Sequence, residues 1–515
     1  MMSVTREGLI AELDRRVEDK ILEPTNADLL KKLITNADND NEAMMIAELG
    51  TTYKRTGLHF DKRLEKMTSD IRYFKKNESL SFHTDDSKPT HKLIIGDNYE
   101  ALQNLLIQYK GNVDVIYIDP PYGKDSMGEF AKTNYQNAIT RDNLLSMLYP
   151  RLLLAKQLLS ENGVILCSID DKNQAYVKCL FDEIFGESNF VANFIWKSRQ
   201  NKDNRNVTGV SIDHEYVVCY SKKSGERKIK GAERKIEQYS NPDNDSRGLW
   251  VSANMVGLAS EEARPNLHYD LINPQTQINY GCPKMGWRYD RKTMNKLIKE
   301  KRIIWPSSAN GRPRKKSFLA EISSGLPGFS SFIGSKVFTS DGTEQLGQIF
   351  PQRVFGFPKP IQVVEELLSQ TTSENSIILD FFAGSGTTGH AVLALNEECE
   401  EGCQRQFILC QINEKTAENP NGIAYDVTSK RLKRIMTGEC YDGTNDFPWL
   451  KEHEPYGGNL DVYEISSVAN FETAKDKSPF DVIDETLYGK EKFKILREKI
   501  EWVCSNFNNA QKTVE

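Results

Sequence analysis

Short apolar runs alternate with stretches of helical periodicity along two separated parts of the chain. Lys92-Leu93-Ile94-Ile95 closes on Gly96-Asp97-Asn98 and leads into a helix-like stretch reaching Tyr109. Val113 to Ile118 predicts a second buried strand and Gly163 to Ile169 a third, with helical spacing over Leu152 to Leu159 and Ala175 to Phe185. From about Ser224 to Ser340 the alternation gives way to Gly, Pro, Asn, Ser and basic residues interspersed with aromatics. It then returns with a helix from Ile361, a strand at Ser376 to Asp380, a helix over Thr387 to Asn396 and a strand at Gln406 to Ile412. The expected architecture is α/β, a doubly wound, mostly parallel sheet covered on both faces and split by an insertion. The expected boundaries are a helical accessory region at 1–90, first half of the α/β domain at 91–223, insertion at 224–345, second half at 346–440, and a small accessory region at 441–515. No strand is expected before His91.

Composition narrows the class. A chain of 515 residues with 38% hydrophobic and 27% charged residues belongs with multidomain globular proteins. No charged-then-apolar leader or run of ~18 apolar residues is visible, so no membrane association is expected. The nine scattered cysteines fit free thiols in a reducing cytoplasm. The net charge of −6 hides an asymmetry, because Lys284 to Lys316 holds 12 basic and 2 acidic residues. A basic middle between acidic flanks is what a phosphate-binding region would leave, although a solvated charged surface explains it equally well.

Asp119-Pro120-Pro121-Tyr122 directly follows the strand ending at Ile118. Ligands of open α/β sheets bind outside the carboxyl ends of strands, where this tetrapeptide lies. Two prolines stiffen the backbone and remove two donors, leaving carbonyls to accept from something else. Asp119 is a further acceptor and Tyr122 offers a ring. This set suits a planar base held by its exocyclic amine, whose lone pair is freed when both protons are donated. Such a base must first leave the duplex. The structural alternative is a rigid Asx-Pro turn.

The second motif, Asp380-Phe381-Phe382-Ala383-Gly384-Ser385-Gly386-Thr387-Thr388-Gly389, reads as strand, glycine turn and helix start. Glycines there admit close backbone approach to a ligand, and the strand-end acid can take hydroxyls or an ammonium group. His390-Ala391 stands where a nucleotide phosphate loop requires Lys-Ser/Thr, which argues against an NTPase.

Asp-Pro-Pro-Tyr together with Phe382, Gly384 and Gly386 resembles the amino-methyltransferases of DNA that use S-adenosylmethionine. The order of motifs, with the basic insertion between them, resembles the beta class, over roughly 91–440. Further likeness, to the modification subunits of type III restriction-modification systems, rests on Thr51-Thr52-Tyr53 to Gly57-Leu58, Ile95 to Asn98, Ser168 to Asp171, His214-Glu215-Tyr216 and Phe407 to Gln411. The resemblance implies a Rossmann-like methyltransferase fold with an inserted target-recognition domain, S-adenosylmethionine as cofactor, and the 6-amino group of adenine in double-stranded DNA as substrate. It implies catalytic Asp119, Pro120, Pro121 and Tyr122. It also implies cofactor contacts from Asp97, Lys359, Asp380, Phe382, Gly384, Gly386 and Gln411. Gln411 departs from the family pattern, which places an acid there for the ribose hydroxyls; Glu414 is the alternative ligand. A homodimer and a separate helicase-nuclease subunit are the implied partners.

Other candidates read as structural. His214-Glu215 fits a hydrogen-bonded pair at a strand start better than a catalytic one. Cys399, Cys403 and Cys410 lack the companions of a zinc site, so no metal is expected and buried thiols are favoured. Two rivals stand beside the adenine reading: a cytosine 4-amino-methyltransferase, and a catalytically silent recognition subunit for a nuclease.

Overall fold

The computed structural model describes residues 5–18, 22, 24–49, 70–121, 140–203, 208–225, 228–232, 236–321, 327–399, 402–469 and 478–507. Tyr122 and the Thr51 to Leu58 stretch lie outside them. The chain divides into two compact units, Lys230–Phe329 and everything else.

In chain order the larger unit carries β1 (Ile71–Lys76), β2 (Phe82–His83), β3 (Thr90–Ile95), β4 (Val113–Ile118), β5 (Leu159–Ile169), β6 (Phe190–Trp196) and β7 (Glu215–Ser221). The smaller unit carries β8 (Trp250–Asn254), β9 (Ile303–Ile304) and β10 (Arg314–Phe318). The larger unit resumes with β11 (Phe332–Ile333), β12 (Ile377–Asp380), β13 (Gln406–Gln411) and β14 (Asn459–Val468). They form one 11-stranded sheet ordered β1-β14-β3-β13-β12-β4-β5-β7-β6-β11, with β2 paired to β14. The run β14-β3-β13-β12-β4-β5 is parallel throughout, while β7 is antiparallel to both β5 and β6.

Val115, Ile116, Tyr117 and Ile118 are all buried, because a central parallel strand is covered on both faces and has no solvent side. The decisive pairing is β4 with β12, Val115 opposite Ile378 and Ile116 opposite Leu379. Asp114 reinforces it by accepting the Ile377 N–H at 2.9 Å. Two segments some 260 positions apart therefore end side by side.

Four expectations need correction. β1 and β2 precede His91; β1 buries only Ile71 and Phe74 and β2 has just two residues, a weaker pattern than the apolar runs of the central strands. The 441–515 region is no mere appendage, since β14 lies inside the sheet between β1 and β3. Cys399 and Cys403 are joined by a disulfide rather than left as thiols, the turn after the helix Thr387–Glu397 bringing their Cα atoms to 5.8 Å. Residues 330–345, expected within the insertion, belong to the larger unit, where β11 pairs with β6.

The smaller unit is a three-stranded antiparallel sheet, β8-β10-β9, beside a cluster of Met255, Tyr269, Leu271, Trp287, Met294, Leu297 and Ile303. The Trp287 indole N–H donates to the Tyr269 carbonyl at 2.8 Å, which satisfies the one polar atom of that buried ring. Among the described residues no helix is long and apolar enough to cross a membrane.

The C-terminal region also closes the edge of the main sheet. The Tyr488 hydroxyl accepts the Phe74 N–H of β1 at 2.8 Å and donates to Asn104 at 2.7 Å. Tyr488→Phe should cost about 1–3 kcal/mol, because both partners stay buried without their bond. Urea titration should show a lower midpoint with the slope unchanged.

Candidate active site

Neighbouring β3, β13, β12 and β4 run parallel, so their carboxyl ends line one rim of the sheet, and each ends in or beside a polar residue. In spatial order these are Asp97, Gln411, Asp380 and Asp119. At ~4.8 Å per strand the row spans about 14 Å.

Asp119 is the most elaborated. Lys359, preceding the helix Ile361–Thr371, places Nζ 2.9 Å from Asp119 Oδ1 and 3.0 Å from Glu215 Oε2. The lysine side chain is only 9% exposed, against 25% for Asp119. Burial pushes the Asp119 carboxyl above its ordinary range; Lys359 pulls it back and Glu215 pushes it up again. One buried cation thus serves two carboxylates, and Asp119 stays more basic than a surface aspartate while its orientation is fixed.

His214 and Glu215 do not bond to each other as expected. Adjacent strand residues point to opposite faces. His214 Nε2 lies 3.0 Å from the Tyr216 hydroxyl, while Glu215 turns to Lys359. The expected placement of Lys359 among cofactor contacts also acquires a second aspect, since its ammonium faces Asp119.

Asp380 is buried, and its oxygens are engaged within the turn. Thr388 donates to Oδ2 at 2.5 Å and the Phe382 N–H to Oδ1 at 2.9 Å. Burial raises its carboxyl to about 7, those two bonds opposing and Asp119 adding to the rise. Its role in this state is to tie the glycine turn to β12. The turn needs glycine at Gly384 (φ 53°) and Gly386 (φ 82°), left-handed positions at the entry to the helix Thr387–Glu397.

Gln411 is likewise turned inward. Its side-chain carbonyl accepts the Gly384 N–H at 2.7 Å and its amide donates to Ile412 O at 3.0 Å. Asp97 is held from behind and stays 32% exposed. It caps the helix Asn98–Tyr109 by accepting the Tyr99 N–H at 2.7 Å, and the buried Arg151 lies 3.1 Å away. Arg151 also donates to Asn98 and to Met147 O, and Asn98 in turn donates to Phe381 O at 2.8 Å.

A second brace supports the turn from below. Buried Arg431 donates to Ser385 O, Ser385 Oγ and Thr387 Oγ1 at 3.0–3.3 Å, and Thr387 donates to Lys359 O at 3.2 Å. Thr428, from the π-helical stretch Ala424–Ser429, donates to Gly384 O at 2.7 Å. The first motif and the glycine turn are therefore linked through Lys359, its side chain on Asp119 and its carbonyl on Thr387. Pro120 is buried and Pro121 half-buried at the same rim.

A family model described as DNA methylase matches residues 113–422. The chain belongs to the DNA methylase family. A second model, an uncharacterised conserved protein family, matches residues 10–115. The methylase is 31% identical to the type III restriction-modification enzyme StyLTI Mod subunit of Salmonella typhimurium, over 65% of this chain and 54% of the relative. It is 30% identical to the EcoP15I Mod subunit of Escherichia coli, over 67% and 63% respectively. It is also 29% identical to the type II methyltransferase M.KpnI of Klebsiella pneumoniae, over 70% and 89%. The matched region thus spans less than two thirds of the two Mod subunits.

Arg151, Arg431, Thr428 and the Glu215 to Lys359 pair were not singled out in the sequence. An arginine set among the leucines of the helix Thr140–Leu158 was the one signal that could have drawn attention to Arg151.

Lys359→Met should raise the Asp119 carboxyl further, since burial and Glu215 then act unopposed. Lys359→Arg should move it less. Carbon-13 NMR of labelled aspartate, assigned against Asp119→Asn, reads the shift. Asp380 yields a second expectation. Its folded value of about 7 exceeds the unfolded 3.8, so the folded state holds the extra proton in that window and stability falls as pH rises through it. Relative to Asp380→Asn, the wild-type methylase should lose about 2 kcal/mol between pH 5 and pH 8 by denaturant unfolding.

Proposed function

We propose that this methylase transfers a methyl group from S-adenosylmethionine to the 6-amino group of an adenine rotated out of double-stranded DNA. The observation that carries the reading is Asp119, oriented by Lys359 at the end of β4, beside the glycine turn that ends β12. We also propose that it is the modification subunit of a type III system, acting in the cytoplasm as a homodimer with a helicase-nuclease subunit. Its likeness to two type III Mod subunits supports this reading.

The residues at the rim fit the cofactor. A Cβ on Gly384 would come within 3.2 Å of the Phe355 ring, so the turn offers the close approach that only glycine leaves open. Asp97, fixed by Arg151 and still partly exposed, can take the amino group of an adenine moiety. Phe382 and the backbone of Gly384 and Gly386 would line the adenosyl group. Gln411 would hold the turn, with its bonds to Gly384 and Ile412 competing against direct ribose contact. Asp380 would act through the turn. When bound, the cofactor supplies an electrophilic methyl on a good leaving group.

Asp119 and the Pro120 carbonyl would accept the two protons of the exocyclic amine, localising the lone pair on nitrogen, and Tyr122 would stack on the base. The positive charge that develops on nitrogen is met by the Asp119 carboxylate. Because burial makes that group more basic than a surface aspartate, it is suited to receive the proton the nitrogen releases. Lys359 would keep it ionised until then.

Asp119→Ala should reduce methyl transfer at least ~1,000-fold while leaving binding of S-adenosylmethionine within a few-fold of wild type. Tritium transfer to DNA followed by nucleoside analysis reads the first, and calorimetry the second. N6-methyladenine is the expected product. N4-methylcytosine would replace the adenine assignment, and unchanged turnover in the variant would remove Asp119 from the mechanism.

A further inference from the structure

The smaller unit contains one helix whose two faces differ completely in chemistry. The helix Arg291–Lys299 buries Met294 and Leu297 against Met255, Tyr269 and Trp287. Lys292, Asn295, Lys296 and Lys299 are all exposed and recur at spacings of three, four and seven, which places them in one stripe opposite the buried face. No acidic residue interrupts that stripe.

Elsewhere in this unit many cations are neutralised internally. Lys316 pairs with Asp243 and Asp245, Arg247 with Asp245 at 2.7 Å, and Arg302 with Glu300 at 2.8 Å and with Glu321. The helix lysines differ. Lys296 has only a loose contact with Glu300 at 3.9 Å, its side chain 74% exposed. The two nearby acids are engaged elsewhere, Asp290 capping the helix through the Thr293 N–H at 2.8 Å and Glu300 binding Arg302. From Lys284 to Lys301 there are seven basic residues against these two acids.

We propose that this helix enters the major groove of duplex DNA, with Lys292, Lys296 and Lys299 on phosphates and Asn295 on base edges. The inference rests on the DNA reading above and names the surface that carries it. With its side chains an α-helix is about 10–12 Å across, which fits a major groove ~12 Å wide. Lysines flanking a central amide match the division of labour in such contacts, cations fixing position and Asn reading adenine through its paired donor and acceptor. The helix is seated on a packed core through Met294 and Leu297, so its outer face is presented rigidly.

The test uses the full chain, with the methylated sites first mapped by sequencing DNA modified by the wild-type protein. Binding of a duplex carrying a mapped site is followed by fluorescence anisotropy between about 50 and 200 mM salt. Lys292→Ala, Lys296→Ala and Lys299→Ala should each lower the slope of log affinity against log salt by about 0.9, and the triple variant by about 2.7. Lys490→Ala, an exposed lysine of the larger unit, should leave it unchanged. Asn295→Ala should keep the slope and broaden the set of methylated sites. Unchanged slopes in the helix variants, or an equal loss in Lys490→Ala, overturn the proposal. An unchanged site spectrum in Asn295→Ala overturns the groove placement. Circular dichroism confirms folding of each variant; Ala replaces Lys on an exposed helix face at no propensity cost. If the wild type methylates no DNA, the underlying DNA reading fails instead, and the two failures stay distinguishable.

Discussion

The parallel pairing of β4 with β12 is the constraint on which the site depends. It fixes the end of one motif a single strand spacing from the other, and the remaining rim residues take their places from the neighbouring strands β13 and β3. Asp114 strengthens that junction from within β4 by capping the first N–H of β12. Removing the pairing would leave Asp119 and the glycine turn as two unrelated local structures. With it, Lys359 can reach Asp119 with its ammonium and Thr387 with its carbonyl.

Three buried cations then do the local positioning, each in a different way. Lys359 balances two carboxylates, Arg151 holds Asp97 and Asn98, and Arg431 binds neutral oxygens of the turn together with His390. A cation taken out of water is costly unless its donors are satisfied, so each is constrained to one geometry by its own partners. His390 follows the same logic. Burial and the adjacent arginine keep it neutral, and its Nδ1 accepts from Arg431 at 3.1 Å. Rigidity at the rim thus comes from polar groups beneath it.

The central strands and the two motifs were legible because parallel strands buried on both faces appear as continuous apolar runs. Glycines with positive φ likewise announce a turn. β1 and β14 were not legible. β1 is an edge strand with only Ile71 and Phe74 buried, and β14, Asn459–Val468, mixes polar residues into its pattern, so neither stands out from loop. The pairing of Glu215 with Lys359 was invisible for another reason. It joins residues 144 positions apart, and only the fold decides which side of β7 faces the rim. The inward use of Gln411 and Asp380 was hidden too. Sequence shows that a polar group ends a strand, but not whether the adjoining turn already occupies its hydrogen bonds.

The same strand order has a consequence during synthesis. When β4 leaves the ribosome, one of its edges can join β5 soon afterwards, but the other waits for β12, about 260 residues later. At roughly 5–20 residues per second that interval is about 13–50 seconds. Through it, a strand of Val, Ile and Tyr presents unpaired amides and carbonyls to its surroundings, a template for wrong partners. The nascent chain therefore has a long window of vulnerability, during which chaperone shielding would matter most.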